Sequence, residues 1–201
     1  MSPEGTNDDL TAAVAVDSEG RLSGRHFGSA EAYRLYRYSE DGFRELTLVR
    51  NETLEVTEHD ASAKAGSVRQ LLESHGVQVV VGGCFGPNIK RLVRHFVPVM
   101  DDPAPASEVL ERLHRRWDRV QREWMRPAPE REHVRLRNGA SVTMAASVDA
   151  GLCEECGFCE PACPVGAISA DGLAMVDRWR CVRCGACLEV CPFGAITLKV
   201  K

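Results

Sequence analysis

Two runs of cysteine in the last fifty residues constrain this chain more than anything else in it. The first is Cys153-x-x-Cys156-x-x-Cys159-x-x-x-Cys163-Pro164 and the second is Cys181-x-x-Cys184-x-x-Cys187-x-x-x-Cys191-Pro192. The second repeats the first at a constant offset, and the following residues match as well, Val165-Gly166-Ala167-Ile168-Ser169 against Phe193-Gly194-Ala195-Ile196-Thr197. This is an internal duplication. Three cysteines at two-residue intervals can wrap one face of a metal centre from a tight loop, and Gly157 and Gly185 let the backbone come close and direct N–H groups at sulfur. The fourth cysteine, fixed by the proline after it, lies too far along to close the same loop. Four soft thiolates per repeat suit a cube of four irons with one thiolate on each. Zinc sites are built from pairs of CxxC, which two triplets with a trailing Cys-Pro match poorly. Disulfides need an oxidising compartment, and the polar, acidic start Met1 to Asp9 does not read as a signal peptide.

With those residues in place, residues 147–201 resemble the bacterial-type two-cluster ferredoxins, every cysteine included. The resemblance implies a small α+β domain holding two [4Fe–4S] clusters. It also implies crossed ligation: Cys153, Cys156, Cys159 and Cys191 on one cluster, Cys181, Cys184, Cys187 and Cys163 on the other. Crossing ties the halves together, so cluster loss should unfold the module. Its strands are expected to be short: one before Cys153, one near Leu173 to Val176 and one at Ile196 to Val200.

The length of 201 residues accommodates two small domains. A net charge of −4 argues against a general nucleic-acid binder. No stretch has the apolar length of a membrane span. Eight of the nine cysteines sit in the two runs, which points to a reducing cytoplasm and an anaerobic or microaerobic setting.

Earlier in the chain, Thr11 to Val16 is a short apolar run ending at Asp17-Ser18-Glu19-Gly20, and reads as a buried strand and turn. Tyr33 to Tyr38 and Phe43 to Arg50 flank Ser39-Glu40-Asp41-Gly42, the pattern of an antiparallel hairpin. Residues 51 to 63 read as a polar loop. Lys64 to Ser74 reads as a helix with Val68, Leu71 and Leu72 inward and Gly76 as its stop. Val77 to Val81 is a second buried strand, Ile89 to His95 a short helix, and Val97 to Met100 a last strand, expected at an edge because of Pro98. This order predicts an α/β domain, a mixed sheet with flanking helices. In such sheets ligands sit beyond the carboxyl ends of the parallel strands. The His26 loop and the Cys84 loop both follow apolar strands, so two parallel neighbours would bring them to one pocket.

The sequence Arg25-His26-Phe27-Gly28-Ser29-Ala30, then the Tyr-rich strand and hairpin, then Gly83-Cys84-Phe85-Gly86-Pro87-Asn88, resembles the dinitrogenase iron–molybdenum cofactor biosynthesis family, which includes NifX-like and orange-protein-like members. The resemblance covers residues 10–104. It implies a ribonuclease-H-like fold without nuclease activity and a site for an anionic metal–sulfur cluster, of iron–molybdenum or molybdenum–copper type. His26 and Cys84 are the candidate contacts to such a third cluster. The bland alternatives are a capping histidine and an inert packed thiol. Gly83 and Gly86 either permit a tight turn or expose N–H groups to an anion at a helix start. His59-Asp60 is a weaker candidate pair.

Residues 101–106 read as a linker. From Ser107, as N-cap, one amphipathic helix is expected with Leu110, Leu113, Trp117, Val120 and Trp124 on its apolar stripe. Its other face is arginine-rich, with Glu111–Arg115 and Asp118–Arg122 as i,i+4 pairs. Residues 105–146 thus form an arginine-rich helix and linker between the two domains. No dinucleotide fingerprint, phosphate loop or nucleophile–base set is present. The expected function is therefore an electron carrier that binds or carries a metal–sulfur cofactor, with a redox protein or cofactor-biosynthesis machinery as partner. The alternative is a plain ferredoxin-type carrier whose N-terminal domain only docks a partner. The sequence does not fix the oligomeric state.

Overall fold

The computed structural model of the protein describes residues 9–52, 61–136 and 144–200. The chain divides into two compact units, Met1–Gly83 with Arg91–Leu136, and Cys84–Lys90 with Arg137–Lys201.

The first unit is built on a six-stranded mixed sheet. Its strands are β1 (Thr11–Val16), β2 (Ala32–Ser39), β3 (Gly42–Arg50), β4 (Val79–Gly82), β5 (Val97–Met100) and β6 (Val134–Arg135), in the order β3-β2-β1-β4-β5-β6. β1 runs antiparallel to β2 and parallel to β4, and β4, β5 and β6 continue in parallel. All six residues of β1 are buried, as a run without polar alternation requires when both faces of a strand are covered. The hairpin turns through Glu40-Asp41, with Gly42 at φ 112° where a side chain would be strained. Helix α1 (Ala61–Ser74) ends before Gly76 at φ 65°, and buries Val68 and Leu72 while Leu71 is half-buried. Gly82 closes β4, one strand position beyond the apolar run.

Three expectations are corrected. Strand β5 is not an edge: it lies between β4 and β6. Backbone N–H groups alternate sides along a strand, and Val97 already donates towards Gln78 on the β4 side. The missing donor of Pro98 therefore faces β6, whose pairing begins only at Val99. The arginine-rich helix is two helices, α3 (Ala106–His114) and α4 (Trp117–Met125), capped at Pro105 rather than Ser107. Arg116 breaks the helical path at φ −114°, ψ 8°. The break lets Val109 and Leu113 of α3, and Trp117 and Val120 of α4, all join the core under Val14, Val81 and Val99. Trp117 stacks on Tyr38 at 4.3 Å between ring centroids and meets Phe43 edge-on at 5.0 Å. Removing such a side chain typically costs about 3–5 kcal/mol, more than a continuous helix would gain across two residues. Residues 101–106, expected as a linker, are anchored: Asp101 and Asp102 are buried, Leu22 N–H donates to Ala104 O, and Asp101 Oδ2 accepts from Arg112 Nε at 2.7 Å. Among the described residues, Arg112 of α3 also pairs with Glu108, and Glu123 of α4 pairs with Arg126 just past the helix end, both at 3.3 Å.

In the second unit, α5 (Cys159–Ala162) and β8 (Ile168–Ser169) follow β7 (Met144–Val148), and α6 (Ala186–Glu189) and β10 (Ile196–Val200) follow β9 (Met175–Val176). The strands expected before Cys153, near Leu173–Val176 and at Ile196–Val200 are all present. The pairing crosses between repeats. β7 pairs antiparallel with β10, Val148 opposite Ile196, and β8 pairs with β9, Ile168 opposite Val176. Ile168 and Ile196 are repeat equivalents, as are Val148 and Val176, so the two small sheets are copies made of exchanged strands.

Candidate metal centres and the loops around them

The duplication is repeated in the backbone angles. Glu155 and Arg183 have φ 53° and 57°, Gly157 and Gly185 have 75° and 81°, and Gly166 and Gly194 have 60° and 62°. Left-handed backbone at a charged, non-glycine residue is uncommon and costs energy. It turns the chain between the first two cysteines of each run so that successive thiols face inward.

They face two cavities. One is lined by Cys153, Cys156, Cys159 and Cys191. The other is lined by Cys163, Cys181, Cys184 and Cys187. Three thiols of each cavity come from one repeat and the fourth from the other. Gly157 borders the first cavity and Gly185 the second, and a Cβ built on either would meet nothing within 4 Å. The remaining walls are chiefly apolar, including Val148, Ala174 and Ile196 in the first and Ala146, Ile168 and Leu198 in the second. Ala167 N–H donates to Cys163 Sγ at 3.1 Å.

Such crowding resists ionisation. Burial first, then the neighbouring Cys181 and Cys184, pushes Cys187 up from 9.0 to about 12. Cys159 and Cys184 are raised too, again chiefly by burial, with nearby cysteines adding to it. Thiols arranged to repel one another as thiolates are stable in that form only around a cation that offsets both costs. Four thiols around an apolar space fit a four-iron cluster, one thiolate per iron.

The ninth cysteine lies in the second unit with its whole segment, Cys84–Lys90. Cys84 Sγ donates to Arg183 O at 3.1 Å, and Phe85 N–H donates to Val182 O at 3.2 Å. Burial pushes the Cys84 thiol up, and the Arg183 guanidinium partly offsets this. Gly83 and Gly86 are buried, and neither has a positive φ. Helix α2 (Ile89–Leu92), which follows them, is a single turn, so the helix-start anion site expected there has little dipole behind it.

His26 lies beyond the carboxyl end of β1. Its Nδ1 accepts from Gly28 N–H at 3.3 Å and caps a 3-10 turn at Phe27–Ser29. The sequence reading missed what holds this loop. The buried Tyr33 donates to Phe27 O at 2.9 Å, and Asn51 Nδ2 donates to Ala30 O at 2.8 Å. Tyr33 was legible as a buried strand aromatic, but no signal in the sequence ties Asn51 to a loop twenty residues earlier. His59-Asp60 lies outside the described residues.

The duplicated pair of four-thiol cavities in the second unit defines an iron–sulfur protein. The sequence model of the 4Fe-4S dicluster domain matches residues 152–195. That of the dinitrogenase iron-molybdenum cofactor family matches residues 10–116, more than half of the chain, and the chain belongs to that family. Comparison with curated proteins returned no match. Among the described residues no helix is long and apolar enough to cross a membrane.

Proposed function

We propose that the protein carries or handles a metal–sulfur cofactor and supplies it, or the machinery that receives it, with electrons from two [4Fe–4S] clusters. The observation that supports this most directly is the pair of cavities, each ringed by four thiols drawn three from one repeat and one from the other. Cys153, Cys156, Cys159 and Cys191 hold the first cluster in this reading, and Cys163, Cys181, Cys184 and Cys187 the second. When bound, the clusters take up and release single electrons; the chain supplies thiolates, N–H donors to sulfur and an apolar wall that sets their solvent access.

The division of labour in this reading follows residues 10–104 for cargo, 105–146 as connection and 147–201 for the clusters. The sheet of the first unit is read as ribonuclease-H-like. The cargo is an anionic metal–sulfur species, and the partner a redox protein or cofactor-biosynthesis machinery, in a reducing cytoplasm. Fusion keeps electron donor and cargo at high effective concentration. Two loops are candidates for cargo contact: that of His26, and that of Gly83, Cys84 and Gly86.

A plainer reading, a ferredoxin-type carrier with a docking module, is favoured by one observation. Cys84 donates its S–H to a backbone carbonyl and is raised by burial, the behaviour of a packed thiol rather than a ready ligand.

Metal and sulfide analysis with EPR on anaerobically purified full-length protein separates the two. The clusters account for about eight irons. Cofactor handling predicts that the protein takes up further iron, molybdenum or copper on incubation with a thiometallate, and that His26→Ala lowers this uptake several-fold with both cluster signals intact. No uptake beyond about eight irons leaves the plain carrier.

A further inference from the structure

We propose that the mouth of the first cysteine cavity is the surface at which this protein exchanges electrons with a basic redox protein. The proposal rests on the electron-supplying reading above and adds which of the two centres faces the partner and what chemistry that partner presents.

The two cavities have matched thiols and unlike surroundings. Cys156, in the first, is the one exposed cysteine of the nine. Phe158 and Phe193 line the same cavity and are 58% and 46% exposed, and Leu152, next to Cys153, is 51% exposed. Glu154 and Glu155 also line it and are exposed. Residues 149–177 carry Asp149, Glu154, Glu155, Glu160, Asp171 and Asp177 and no Lys, Arg or His. At the equivalent positions of the second repeat stand Val182, 1% exposed, and Arg183, 5% exposed. Their carbonyls accept from Phe85 N–H and the Cys84 thiol. Among the described residues, no carboxylate lines the second cavity.

Exposed aromatics at the mouth of a redox centre, with the exposed carboxylates of Glu154 and Glu155 among them, have the layout of a transient interface: an apolar centre for close approach and a charged rim that steers the encounter. The carboxylates attract a partner whose own rim is Lys- and Arg-rich and repel an acidic one. Close approach matters because the electron must pass from one centre to the other. The loop between the first two cysteines is buried at the second cavity and exposed at the first, where Cys156 reaches solvent, so exchange with the outside runs through the first.

The test uses full-length, dithionite-reduced protein and ferricytochrome c, a basic haem protein. Each event moves one electron, oxidising the protein and reducing haem iron from ferric to ferrous. The second-order rate is followed in the haem band at low and high salt, with ferricyanide, a small anion, as a second acceptor. E154K/E155K should slow cytochrome c reduction about tenfold or more at low salt and flatten its salt dependence, without slowing ferricyanide. E40K/D41K makes the same charge change at the exposed hairpin turn of the first unit and should stay within about twofold. The milder E154Q/E155Q, expected to slow the reaction about threefold, serves if the lysine variant loses a cluster signal in EPR. Unchanged cytochrome c rates in the glutamate variants, or an equal loss in E40K/D41K, overturn the proposal while leaving the carrier reading standing. A reduced parent protein that passes electrons to neither acceptor overturns both.

Discussion

The two cysteine repeats carry the same thiols at the same spacing on the same backbone, with three pairs of matched left-handed residues, yet the loop between the first two cysteines is exposed and acidic in one and buried with an arginine in the other. Glu154-Glu155 and Val182-Arg183 occupy equivalent places between the first two cysteines of each run. The first pair is exposed and the second buried. Duplication fixes what must be identical to hold a cluster, namely thiol spacing and the left-handed turns. It leaves free the residues that set charge and solvent access, which tune a centre of this kind. The segment Cys84–Lys90, from elsewhere in the sequence, enforces the difference by bonding to one loop and not its copy.

The largest effects should come from the crossed cysteines. Cys163 sits in the first run but lines the second cavity, and Cys191 the reverse. Cys163→Ala should remove the second cluster and Cys191→Ala the first, each dropping iron from about eight to about four or fewer. Cys156→Ala should likewise remove the first cluster. All three should also destabilise the surviving half, because β7–β10 and β8–β9 join the repeats. Iron release to a chelator tells the survivors apart: the open first centre of Cys163→Ala should give up its iron quickly, the covered second centre of Cys191→Ala slowly. Loss of the quick fraction in Cys163→Ala, or a fully stable remaining cluster in any variant, would break the crossed arrangement.

Phe85→Ala comes next. Phe85 is almost fully buried, and truncation of such a ring typically costs about 3–5 kcal/mol. The segment that covers Val182 and Arg183 should loosen. Chelator should then draw iron from the second centre about tenfold faster while the first keeps its rate. A similar acceleration at both centres would mean that the cover stabilises the whole unit and does not distinguish the repeats.

How far the sequence showed this depended on where the determining contacts lie. The cysteine spacing and the strands beside it are local or repeat at a fixed offset, so the two runs and the places of the short strands were legible in residues 144–200, while the pairing of β7 with β10 and of β8 with β9 was not. β1, the hairpin and β4 were legible because unbroken apolar runs and Gly42 or Gly76 punctuate them. What was not legible depended on contacts far along the chain. Pro98 marks an edge by its missing donor, but whether a neighbour needs that donor is decided by Val134–Arg135, some 35 residues on. The break at Arg115–Arg116 is set by Trp117 reaching Tyr38 and Phe43. Cys84 read as the end of a sheet loop, and nothing near it in sequence announces a bond to Arg183.

The smallest effect, and the sharpest on the comparison, is a pair of charge removals. An added electron is favoured by a nearby cation and disfavoured by a nearby anion. Arg183→Gln should therefore lower the reduction potential of the second centre, and Glu155→Gln should raise that of the first. The sizes should differ. A unit-charge interaction at 4 Å is worth about 4 kcal/mol at an effective dielectric of 20 and about 1 kcal/mol in water. Arg183 is buried and Glu155 exposed, so the Arg183 shift should be several times larger, on the order of tens of millivolts where about 60 mV is a tenfold change for one electron. Raising the salt should shrink the Glu155 shift and leave most of the Arg183 shift. EPR-monitored potentiometry of both variants reads the two centres separately. Equal shifts with equal salt dependence would show that the two loops see the same solvent, and the asymmetry of the repeats would then have no consequence for their redox chemistry.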